Sequence, residues 1–60
     1  MPSDETRKVL KVFGVAVTNL EDAIDRRAPV AEIAKLDQEV AERVRELTAL
    51  VERLRSRRIA

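Results

Sequence analysis

Between Pro29 and Leu54, apolar residues return at three- and four-residue intervals as Val30, Ile33, Val40, Val44, Leu47, Val51 and Leu54. A half-buried strand alternates every second residue, whereas this spacing lines one stripe of an α-helix and is the seam used when helices pack on helices. The stripe sets the fold class as all-α. It also requires at least one further helix to lie against it.

That second helix has to come from a short chain. The 60 residues amount to one domain over 1–60, and a lone fold of that size buries only about 60% of the surface its unfolded chain exposes. Cysteine and histidine are both absent, which excludes disulfides, thiolate or imidazole metal sites, and the nucleophiles and bases built from those side chains. Self-association or a partner protein is then the expected source of the missing stability. The chain is rich in Ala, Val, Leu, Glu and Arg, with one Gly, two Pro and Phe13 as its only aromatic residue, the composition of long helices. No apolar run approaches the roughly 18 residues of a membrane span. Met1-Pro2-Ser3-Asp4-Glu5 is acidic where a signal peptide begins basic, so a soluble cytoplasmic protein without membrane contact is expected.

Ser3 followed by Asp4 and Glu5 marks a helix start, offering a capping oxygen and then negative charge at the positive end of the dipole. Over residues 4–27, Val9, Leu10, Val12, Phe13, Ala16, Val17, Leu20, Ala23 and Ile24 fall on one arc of roughly 160° at about 100° per residue, with Val15 the apolar misfit on the polar side. Gly14 sits at the edge of that arc and costs about 1 kcal/mol relative to Ala. It marks either a close approach by another element or a weak point tolerated in a helix stabilised elsewhere. Arg26 and Arg27 suit a helix C-terminus, Ala28 is turned from helical geometry by the proline after it, and Pro29 fits the first turn of a new helix.

The expectation is helix 1 over about 4–27, a turn at about 27–29 and helix 2 over about 29–56, folded back as an antiparallel hairpin. A single long helix kinked at Pro29 is the competing geometry. Folding about Ala28 sets Ile24 opposite Ile33, Val17 opposite Val40, Phe13 opposite Val44 and Leu10 opposite Leu47. The second helix carries an arc of roughly 200°, with Leu36 and Leu50 on one flank and Ala34 and Ala41 on the other. Both flanks cannot be covered by one neighbour, so two hairpins are expected to pair into a four-helix bundle. Its interface would use Val9, Leu10, Phe13, Val17, Leu20, Ile24, Ile33, Leu36, Val40, Val44, Leu47, Leu50, Val51 and Leu54.

Asp37 and Arg43 interrupt the apolar arc of the second helix. The expected role is a polar layer fixing register, with Asp37 near Thr18 and Asn19 and Arg43 snorkelling or paired with a carboxylate. Glu39, Glu42 and Glu46 project outward as a solvated face, and bundle metal sites need Glu-x-x-His motifs that this chain lacks. Ser3 and Ser56 are terminal, and Thr18 has no candidate base nearby. No catalytic, cofactor or metal site is expected, and the chain reads as a non-enzyme.

Charge is segregated along the hairpin although the net charge is only +1. The end holding the termini gathers Arg7, Lys8, Lys11, Arg45, Arg53, Arg55, Arg57 and Arg58, and the turn end gathers Glu21, Asp22, Asp25, Glu32, Asp37, Glu39 and Glu42. Two hairpins associating head to tail use the whole pattern. The alternative is that Arg7, Lys8, Lys11, Arg53, Arg55, Arg57 and Arg58 grip phosphates of a nucleic acid or another anionic partner. In length and layout this architecture resembles the plasmid-control proteins of the Rop type, cytoplasmic helical hairpins that dimerise into four-helix bundles and bind paired RNA loops. The resemblance transfers no site residue, and Phe13 alone gives no platform for stacking bases. The sequence therefore points first to a homo-oligomeric scaffold, accessory subunit or regulator of another protein, and second to a small nucleic-acid-binding regulator.

Overall fold

The computed structural model describes the backbone of residues 2–59 and the side chains of residues 2–57. It contains two helices, α1 (Asp4–Asp25) and α2 (Val30–Ile59). They run antiparallel, since Arg53 near the end of α2 bonds Glu5 at the start of α1 at 2.8 Å. Among the described residues there is no strand.

The start of α1 follows the sequence. Ser3 holds extended backbone, and its Oγ accepts from the Thr6 N–H at 3.1 Å, satisfying one of the donors a helix start leaves free. Its end differs from expectation, because α1 stops at Asp25 and Arg26 and Arg27 belong to the turn. Arg27 takes a left-handed conformation, φ 56°. Its N–H donates to the Ile24 carbonyl at 3.1 Å and the Ala28 N–H donates to the Ala23 carbonyl at 2.9 Å. That pair of bonds is the Schellman closure, which needs a positive φ at the residue after the cap. Glycine is the usual occupant, so the sequence carried no cue for it.

Pro29 precedes α2 instead of opening it, its carbonyl accepting from Glu32 at 3.0 Å and Ile33 at 3.1 Å as the first bonds of the helix. At the other end, α2 continues three residues past the expected stop, to Ile59. The arginines of this stretch are good helix formers, and their charge complements the negative end of the dipole.

The hairpin is a slab of 47 × 18 × 12 Å. Twelve ångströms is the diameter of one helix with its side chains, so the fold is a single layer where ordinary domains stack at least two. Burial is correspondingly thin: among the described residues Ala16 (6%), Ala23 (0%) and Leu50 (2%) are the buried apolar ones. Around them Val9, Val12, Phe13, Leu20, Ile33, Leu36, Val40, Leu47 and Val51 are half-buried. The small alanines let α2 approach α1 on one edge of its apolar arc, and the hairpin contact settles there.

Candidate functional site

The other edge of that arc is left open. Leu10 (50% exposed), Val17 (41%) and Ile24 (53%) recur every seven residues along α1, and Val44 (43%) belongs to the same face of α2. Ile33, Val40 and Val51 border them half-buried, and Leu54 and Val30 extend the exposed set toward either end of α2. Leu10, Val17 and Ile24, expected opposite Leu47, Val40 and Ile33 along the hairpin seam, are thus not its centre; the contact runs through Ala16 and Ala23, which lie on the same apolar arc. Their seven-residue spacing was the signal available in the sequence. On α2 the Leu36 and Leu50 flank turns to α1, and the Ala34 and Ala41 flank stays exposed.

The opposite face is polar. Arg43 holds Glu46 by two bonds of 2.7 and 2.9 Å and lies 3.8 Å from Glu42, and Arg53 reaches across to Glu5. A groove of about 450 Å³ on this side is lined by Glu5, Lys8, Val9, Val12, Arg43, Glu46, Ala49 and Arg53. Near the turn, Arg26 bonds Asp22 at 3.2 Å and also bonds Glu32 on the other helix. Arg26 lies five full helical turns from Lys8, so this cluster shares the polar side. The bond to Glu32, and after it the bond to Asp22, raises the Arg26 pKa above its ordinary value. All ion pairs among the described residues therefore fall on one face, and none borders Leu10, Val17 or Val44.

The polar interruptions divide. Arg43 pairs with carboxylates of its own helix as expected, whereas Asp37 is exposed on the open face and makes no side-chain hydrogen bond among the described residues. Thr18 does not meet it, because its hydroxyl donates to the Gly14 carbonyl at 2.8 Å, and Asn19 is exposed. Gly14 has nothing within 4 Å of where a Cβ would stand, so no element of this chain approaches it. Among the described residues no group of acidic side chains is placed to hold a metal, and no buried polar side chain lacks a partner.

Arg7, Lys8, Lys11, Arg53, Arg55 and Arg57 are all exposed. Lys8 and Arg53 line the polar groove and Arg57 a neighbouring one with Glu5 and Leu50, while Arg7, Lys11 and Arg55 line neither. Arg53 is already engaged by Glu5. The side chain of Arg58 lies outside the described residues. Among the described residues no helix is long and apolar enough to cross a membrane. No family model matches the chain, and neither a curated protein nor a solved structure is found similar to it.

Proposed function

We propose that the protein is a non-catalytic interaction module whose hairpin self-associates through its open apolar face into a four-helix bundle, serving as a scaffold, accessory subunit or regulator. The observation that carries this reading is the exposed row of Leu10, Val17 and Ile24, joined by Val44, on a slab one helix thick. A compact monomer of 6.8 kDa exposes about 4,000 Å², and this chain exposes 5015 Å². The excess of about 1,000 Å² is comparable with the roughly 800 Å² that one partner contributes to a stable interface. Segregation of all described ion pairs to the other face supports the same assignment, because the open face can be dried without stripping paired charges of water.

Size-exclusion chromatography with light scattering tests it. The parent should run at a multiple of the chain mass at micromolar concentration, and a Leu10→Ser, Val17→Ser, Ile24→Ser variant should fall to one chain and lose much of its helical circular dichroism. A parent that is a well-folded monomer defeats the reading.

A second reading, phosphate binding by the basic end, draws on the exposure of Arg55 and Arg57, which have no ion-pair partner among the described residues. It requires affinity for RNA or DNA that falls steeply with salt. Unchanged binding by an Arg55→Ala, Arg57→Ala, Arg58→Ala variant would sink it.

A further inference from the structure

We propose that the occupant of the open face is a second copy of the chain running in the opposite direction, with the twofold axis passing beside Gly14 of α1 and Val44 of α2. This rests on the self-association reading and adds the direction and register of the pair. Two slabs stacked face to face can be related by a twofold axis along the helices or across them. The first lays α1 on the partner's α2 with both turns at one end. The second lays α1 on the partner's α1 and α2 on the partner's α2, with the turns at opposite ends.

Charge separates the two. The Glu5–Arg53 and Arg26–Glu32 pairs fix the level of the helices within one hairpin, and the same register sets Gly14 level with Val44 and Glu21 level with Asp37. In the turns-together arrangement Glu21 would therefore face the partner's Asp37, and Arg7 would lie about one helical turn from the partner's Arg55. Both contacts join like charges at the margin of an apolar interface. In the reversed arrangement the sign inverts. Arg7, Gly14 and Glu21 stand at seven-residue steps along one edge of the open face of α1, and an axis at Gly14 brings each Arg7 level with the partner's Glu21. The same axis sets each Leu10 beside the partner's Val17 and the two Val44 side chains together.

The axis position has independent support. Gly14 lies near the middle of α1, between the exposed Leu10 and Val17, where a Cβ would meet only open space. A glycine there costs helix stability and answers no need within the hairpin. At the axis it lets the two α1 backbones come together. An axis at this level also overlaps the helices along most of their length.

Spin labels on an Asp25→Cys variant give the direction, since the chain has no other cysteine and Asp25 is exposed without an ion pair among the described residues. Reversed hairpins place the two labels about 33 Å apart, from 11 residues on either side of the axis at 1.5 Å each. Turns-together hairpins place them under about 20 Å apart, across helices spaced 8–10 Å. A double electron–electron resonance distance in the longer range is the expected result, and one in the shorter range overturns the proposal while leaving self-association standing. Loss of any dipolar signal, with a light-scattering mass of one chain, removes both. The register is tested by Arg7→Glu, expected to weaken association roughly fivefold through two lost exposed pairs, and by Arg7→Glu with Glu21→Arg, expected to restore it. A double variant as weak as the single one overturns the axis at Gly14.

Discussion

Arg27 occupies a backbone region where an L side chain crowds the following carbonyl, at a cost of about 1 kcal/mol or more. The turn accepts that cost because the Schellman bonds at Ile24 and Ala23 close α1 within two residues and deliver the chain to Pro29. Arg27→Gly should accordingly raise stability by about 1 kcal/mol, read as a higher urea midpoint with an unchanged slope. An unchanged or lower midpoint would mean that the arginine makes up for its strained backbone in some other way. Ser3 presents the reverse case, a residue whose role was written in its chemistry. Removing its hydroxyl in Ser3→Ala should lower stability by about 1 kcal/mol, measured in the same titration.

At the level of the helices, what could be read and what could not follow from how far each signal acts. Ser3 and Pro29 act on their immediate neighbours and placed the start of α1 and the break before α2 to within a residue. The end of α1 depended on a positive φ that no glycine announced, and the end of α2 on how long an arginine-rich helix persists without a neighbour. The facing surfaces were harder. An arc of roughly 160° shows that α1 has more apolar surface than one helix covers, but it does not say which half the hairpin takes. The row of Leu10, Val17 and Ile24 toward one edge was the expected seam, yet close packing favours the other edge, where Ala16 and Ala23 admit the other backbone. Hydrogen exchange should reproduce this division. Amides near Ala16–Ala23 and Leu36–Leu50 should be the most protected, and those of the last turn of α2, which extends beyond the start of α1, the least. Uniform protection along α2 would show that the overhang is covered.

For the molecule as a whole, the arrangement sorts two kinds of surface onto two sides of one layer. Ion pairs tie the helices on the polar side, at Glu5–Arg53 and Arg26–Glu32, and set the register. They add little to stability at exposed positions. Apolar side chains on the other side stay half in water. A slab 12 Å thick has an unusual calorimetric consequence. The heat capacity of unfolding follows the apolar surface newly exposed, and about 0.8 kcal/mol/K is typical of 60 residues in a compact fold. A separated hairpin already shows water much of what unfolding would reveal, so its heat-capacity step and its denaturant slope should both fall well below that norm, and its melting should be broad. Under the proposed self-association, scanning calorimetry across a dilution series should show the step shrink as copies part, and the curvature of the stability profile would then belong to the assembly instead of the chain.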